Sequence, residues 1–284
     1  MISARNSRGL IPVLFLLAPA PGVLSPDAMQ LFHRDLGGAG RPPLVILHGM
    51  LGSSRNWQTT GRDLAAHFHV FALDLRNHGQ SPHTPEMTYA VMAEDLREWL
   101  EAQRLSRVRL MGHSLGGKIA MLFACQHPAQ VERLIIVDIA PKDYFWPARR
   151  GEFDAMQAIP VERLASRAEA ETQLEAAVPD WAMRKFFTTN LERDTEGRWR
   201  WVIDLPAIAA SLAELEKNAL TPDNRYDGPT LLVTGGKSNY VEAADWPVMQ
   251  AHFPQARHAI LVEAGHNPHL EAREAFVRCV LSPI

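Results

Sequence analysis

Cysteine is scarce, positive charge is not in excess, and no apolar run is long enough to cross a bilayer. Each shortage removes a class of protein. The 284 residues contain two cysteines, Cys125 and Cys279, too few for a disulfide framework. Both fall in segments that read as amphipathic helices, where a buried free thiol is the expected state. The sequence therefore reads as a reduced, cytoplasmic protein. Lys and Arg total 29 against 32 Asp and Glu, a net charge of −3. Basic residues are scattered, with Arg149-Arg150 the one conspicuous mid-chain cluster, so neither nucleic acid nor a membrane surface is an expected partner. Stable membrane insertion is not expected either. Residues 10–17 are mostly apolar but fall far short of the roughly 20 residues a span requires.

The N-terminus nonetheless has a signal-like look. Residues 1–8 are basic, and Ala18-Pro19-Ala20 resembles a cleavage site. Pro12 interrupts the apolar run and Pro21 follows the would-be cut. The favoured reading is an extension over residues 1–28, disordered or preceding a true start at Met29, with export as the alternative.

From Met29 onward, short apolar runs alternate with helical patterns, which predicts a mostly parallel sheet covered by helices. Strands are expected at residues 44–47, 70–73, 108–111, 134–137, 231–233 and 259–262. The continuous run Leu44-Val45-Ile46-Leu47 suits a strand buried on both faces. Helices are expected at residues 53–68 and 88–105, after Ser114, and at 268–280. Residues 141–227 break the rhythm. They read as helical (161–177, 181–190, 208–220), hold no strand run, and are rich in aromatics such as Tyr144, Trp146, Trp181 and Phe186. The expected organisation is a core of residues 29–140 and 228–284 with a helical cap at 141–227, inserted before the last two strands. Most cap aromatics should form its own small core, with a few lining an apolar pocket.

Gly112-His113-Ser114-Leu115-Gly116 is a G-x-S-x-G sequence. It follows one expected strand and precedes a helical pattern, the context a nucleophile elbow requires. The turn is strained and its backbones approach closely, hence the glycines, and the helix N-terminus favours developing negative charge. Serine is a poor nucleophile unaided, so a base and an orienting acid are needed. Of twelve histidines, His266 lies late in the chain in a loop after a strand, as the order Ser, acid, His demands. His269 is read as structural, because no third ligand completes a metal site with it. Two backbone N–H groups, from Leu115 and from Met50 in His48-Gly49-Met50-Leu51-Gly52, are the expected oxyanion hole. His48 should brace that loop and His113 should pack in the elbow. The identity of the acid stays open on pattern alone. The strand after the cap is followed by Gly235-Gly236-Lys237-Ser238-Asn239-Tyr240-Val241, with Ser238 where an Asp is often found; Asp138, Glu242 and Asp245 remain candidates.

His48-Gly49, Asp74 to Ser81 (DLRNHGQS), the elbow and Gly265-His266 together resemble the α/β-hydrolase superfamily. Arg76-Asn77-His78-Gly79, the elbow extended through Gly117-Lys118, and Val137-Asp138-Ile139-Ala140-Pro141 resemble the branch of YbfF-like bacterial esterases and their mitochondrial relatives. The likeness runs from about Met29 to the C-terminus. It implies an α/β-hydrolase fold, places the acid at Asp138, and implies a serine esterase working through an acyl-enzyme without cofactor or metal. The partner is then a small-molecule ester or thioester; oligomeric state is left open. Serine at position 114 excludes the Asp-nucleophile dehalogenases and epoxide hydrolases. Thioesterase ranks second; C–C hydrolase, amidase, cofactor-free haloperoxidase and a non-catalytic binding protein share the motif set.

Overall fold

A computed structural model describes residues 29–282; the extension expected at residues 1–28 lies outside them. The chain begins with β1 (His33–Asp35), β2 (Pro43–Leu47), α1 (Gln58–Leu64), β3 (His69–Leu73), α2 (Tyr89–Ala102), β4 (Val108–His113), α3 (Leu115–Gln126) and β5 (Val131–Val137). An insertion follows: α4 (Pro147–Gln157), α5 (Arg167–Gln173), α6 (Trp181–Thr188), β6 (Leu191–Arg193), β7 (Trp199–Trp201) and α7 (Leu205–Leu215). The chain closes with β8 (Thr230–Gly235), α8 (Trp246–His252), β9 (Ala256–Leu261), α9 (Pro268–Glu271) and α10 (Arg273–Leu281). Seven strands form one sheet in the order β1-β3-β2-β4-β5-β8-β9. Only β1 runs antiparallel to its neighbour.

Alternation along the central strands explains their apolar runs. Val45 and Leu47 of β2 join one core cluster with α2, α3, α8 and the insertion. Leu44 and Ile46 join the other, with Leu64 of α1 and Phe276 and Val280 of α10. Both faces are dry, so every position must be apolar. Edge strands follow a different rule, and there the apolar-run reading falters. β9 begins three residues earlier than expected, because Arg257 and His258 face solvent. β1, His-Arg-Asp, carries no apolar run at all and is held by its pairing to β3.

The expectation that the insertion holds no strand is corrected. β6 and β7 form an antiparallel hairpin, Leu191 opposite Trp201 and Arg193 opposite Trp199. Three-residue strands are too short to show a period, and guanidinium groups of Arg167 and Arg193 stacked on Trp199 stabilise them instead. The helix expected at 161–177 is also broken. A 3-10 turn at Val161–Arg163 ends, and α5 restarts behind Ser166, whose hydroxyl accepts the Glu169 N–H as an N-cap. The last helix is likewise two, interrupted at Ala272 with φ −132° and ψ 46°. Cys125 and Cys279 lie in α3 and α10, unpaired and half-buried rather than fully buried. No helix of the described residues is long and apolar enough to cross a membrane.

Candidate active site

Ser114 stands between β4 and α3 with φ +50° and ψ −116°, a conformation L-residues adopt at a cost of about 1–3 kcal/mol. Two contacts make the turn obligatory. A Cβ on Gly112 would stand 2.1 Å from the Gly116 carbonyl oxygen, and one on Gly116 would stand 2.5 Å from that of Leu47. The elbow is clamped by Ser114 N–H donating to Val137 O (3.0 Å) and Gly116 N–H to His48 O (3.2 Å). The serine side chain therefore projects from the end of the sheet at a helix N-terminus.

His266 and Asp138 meet as the resemblance implied. His266 Nδ1–H donates to Asp138 Oδ2 at 2.7 Å, and the carboxylate is fully buried. Asp138 follows β5 with φ +51°. It also accepts Gly235 N–H at 3.0 Å on Oδ1 and the Ser238 hydroxyl at 2.5 Å on Oδ2. Ser238 thus stands where an acid is often found and supports the acid that reaches in from the neighbouring strand. Of the other candidates, Asp245 is occupied elsewhere, taking the Lys142 ammonium at 2.7 Å and the Glu242 N–H at 2.8 Å, and Glu242 is exposed.

Ser114, His266, Met50 and Leu115 line one cavity of about 370 Å³. Its apolar wall includes Leu51, Trp146, Met183 and Phe186, and Arg149 and Glu271 bring charge. Ser114 Oγ and His266 Nε2 are not hydrogen-bonded to each other; such contacts tighten when substrate binds. The N–H groups of Met50 and Leu115 have no protein acceptor among the described residues. Leu115 is the first residue of α3, whose N–H has no helical partner. Insertion aromatics divide between roles: Phe153 and Phe187 are buried in the core, Trp146 and Phe186 face the cavity, and Phe145 and Trp181 are 77% and 62% exposed.

The loop carrying Met50 is braced by two histidines. His48 Nδ1–H donates to Gly49 O at 2.8 Å while its Nε2 accepts Leu75 N–H at 3.0 Å. His78 Nδ1–H donates to Arg76 O and its Nε2 accepts Leu51 N–H at 3.1 Å. Both rings must be neutral to accept, and burial pushes His48 down to about 4 and His78 down to about 3. From the insertion, Asn190 Nδ2–H donates to Leu51 O at 2.8 Å. His48 braces the loop as expected. His78 and Asn190 do so unforeseen, although His78 sits in the DLRNHGQS segment that carried the resemblance.

His269 is structural: it stacks on Trp57 at 4.0 Å between ring centroids, and its carbonyl accepts the Thr60 hydroxyl. Burial takes its imidazole down to about 3. His113 packs in the elbow and donates Nε2–H to the His266 carbonyl at 2.8 Å. The ring of Tyr240 covers His266, 3.6 Å between centroids and 15° from parallel. Nothing in the sequence distinguished Tyr240, because its role depends on the loop after β8 folding back so that a residue five positions past the strand covers the imidazole. Among the described residues no cluster of three or more His, Cys, Asp or Glu is arranged to hold a metal ion.

The geometry has counterparts of known kind. The alpha/beta hydrolase fold family matches residues 42–273. The sn-1-specific diacylglycerol lipase ABHD11 of Mus musculus is 34% identical over 99% of this chain and 95% of its own length. Esterase YbfF of Escherichia coli (strain K12) is 32% identical over 84% of this chain and 91% of its own. A solved structure described as a marine microorganism esterase has a TM-score of 0.86 at 35% identity, covering 89% of this chain and 99% of that one. With its mostly parallel sheet and with residues 42–273 matched by the family, the chain belongs to the alpha/beta hydrolase fold family, among relatives of the YbfF type.

Proposed function

We propose that the chain is a serine carboxylesterase cleaving esters of small to medium acyl chains through an acyl-enzyme. One observation carries the proposal: a strained serine, a histidine oriented by a buried carboxylate and two unengaged N–H groups converge on one cavity. In the first step His266 Nε2 takes the proton of Ser114 as Oγ adds to the ester carbonyl carbon. The Met50 and Leu115 N–H groups receive the oxyanion, a contribution of about 3–4 kcal/mol per donor in comparable sites. Collapse expels the alcohol, which takes the proton from the imidazolium, and leaves an ester on Ser114. Water then adds with His266 as base, releasing the acid and restoring the serine. Asp138 holds the Nδ1–H tautomer throughout and stabilises the imidazolium. The apolar wall of the cavity, and the esterase and lipase names of the relatives, support an acyl ester as substrate.

The test is fluorophosphonate labelling together with a panel of esters and thioesters of graded acyl length. Ser114 should label, and Ser114→Ala should abolish both labelling and turnover on every ester. Folded protein that does not label would point to a binding role. Labelled protein that turns over only thioesters would overturn the choice of substrate.

A further inference from the structure

The elbow, the base loop and the oxyanion loop come from three distant parts of the chain, and one side chain touches all three. His113, the last residue of β4 and the neighbour of Ser114, is buried. Its Nε2–H donates to the His266 carbonyl at 2.8 Å. Among the described residues this is the one hydrogen bond from the elbow to the loop that carries His266. Its ring lies 4.8 Å from the ring of His266 and 4.8 Å from that of His269. Nδ1 faces the oxyanion loop, where a Cβ on Gly49 would stand 2.8 Å away. Gly49 is therefore glycine because the imidazole of His113 occupies the space a side chain would need.

The ring is also held in one protonation state. A carbonyl partner requires the proton on Nε2. Burial, reinforced by His266 and His269, takes the imidazole well below its ordinary range. A neutral neighbour matters here, because a cation beside His266 would oppose the imidazolium that forms in the reaction.

We propose that His113 is a positioning residue that sets the separation of Ser114 from His266 by tying the base loop to the elbow. The proposal rests on the Ser114–His266–Asp138 reading above. The Asp138 bond fixes the tautomer and tilt of the imidazole, whereas the His113 bond fixes where the loop's backbone stands relative to the serine. A misplacement of about 1 Å between reacting groups costs about 10²-fold in rate.

The experiment compares His113→Leu, His113→Asn and His113→Gln by kcat per titrated Ser114, KM and Tm. Glutamine places an amide N–H near the position of Nε2; asparagine stops short of the His266 carbonyl; leucine has no donor. His113→Leu and His113→Asn should lose about 10- to 100-fold in kcat per labelled serine with KM little changed, and His113→Gln should recover most of it. If Leu does not fold, the Asn–Gln pair decides alone. Loss of Tm without loss of kcat per labelled serine, or a glutamine variant no better than asparagine, would overturn the proposal. Wild-type protein that fails to label removes the underlying reading instead, so the two failures are distinguishable.

Discussion

Replacing Asp138 by Asn changes one heavy atom and should disable the base without disturbing the fold. The carboxylate accepts three hydrogen bonds, from Gly235 N–H, the Ser238 hydroxyl and His266 Nδ1–H. An amide has one oxygen to offer. If that oxygen stays toward His266, the NH2 group confronts the Gly235 N–H, donor against donor at about the present 3.0 Å, in a buried site where such a clash costs about 1–3 kcal/mol. The relaxed alternative turns the NH2 toward His266. Ser238 can rotate to accept, but Nδ1 must then lose its proton, and Nε2, the nitrogen meant to receive the serine proton, already carries one. The adverse tautomer takes roughly a factor of 10 to 100, at about 1.4 kcal/mol per decade. Loss of the charge opposite the imidazolium removes more. The sum approaches the roughly 10⁴-fold fall in kcat seen for the equivalent change in serine proteases. The assay is turnover of a chromogenic ester per fluorophosphonate-titrated serine, with KM and Tm measured alongside. A kcat within about tenfold of wild type would refute the reasoning. So would an equal loss in Glu242→Gln or Asp245→Asn, since Asp245 is engaged by Lys142.

Two other outcomes follow from the same contacts. Ser238→Ala removes one hydrogen bond to an ionised acceptor, worth about 1.5–3 kcal/mol when intact; kcat should fall about tenfold or more with KM unchanged, and a wild-type rate would mean that the hydroxyl is idle. His48 and His78, at about 4 and about 3 in the fold, set an acid limit. Their folded values lie below the unfolded 6.5, so the unfolded chain binds more protons and their neutrality supports the fold fully only above that value. As pH falls through 6.5 toward 4 each withdraws a few kcal/mol. Together they rival a total stability of about 5–15 kcal/mol. Tm should therefore drop steeply across that window and cooperative unfolding should precede pH 4; a flat Tm would contradict it.

Legibility in the sequence followed the range of each interaction. Ser114 and the strand and helix flanking it could be read because a nucleophile elbow is local: strand, turn and helix occupy consecutive residues. His266 could be placed by chain order. Asp138 could not be chosen from pattern, because nothing local distinguishes a strand-end Asp that orients a histidine from one that caps a strand; only the resemblance selected it. Tyr240 and Asn190 were invisible because they act through contacts with His266 and Leu51, far away in the chain. The central strands were legible from their apolar runs. β1 and the β6–β7 hairpin were not, since edge pairing and guanidinium stacking, not periodic burial, hold them.

Placing Asp138 at the end of β5 divides labour along the chain in an unequal way. The proposed nucleophile, oxyanion loop and acid are all supplied between His48 and Asp138, by adjoining strands of one contiguous segment. The loop after β8 is released from supplying the proposed acid and contributes modulators instead, a hydroxyl from Ser238 and an aromatic wall from Tyr240. The insertion begins just beyond the acid, so exchanging it leaves these three components contiguous in the chain, provided that the Asn190 bond to Leu51 O, which braces the oxyanion loop, is kept. What must survive such an exchange is the return path that delivers His266. That makes the scaffold a natural candidate for grafting foreign caps, with selectivity carried by the graft and the chemistry kept by the segment before it together with the His266 loop after it.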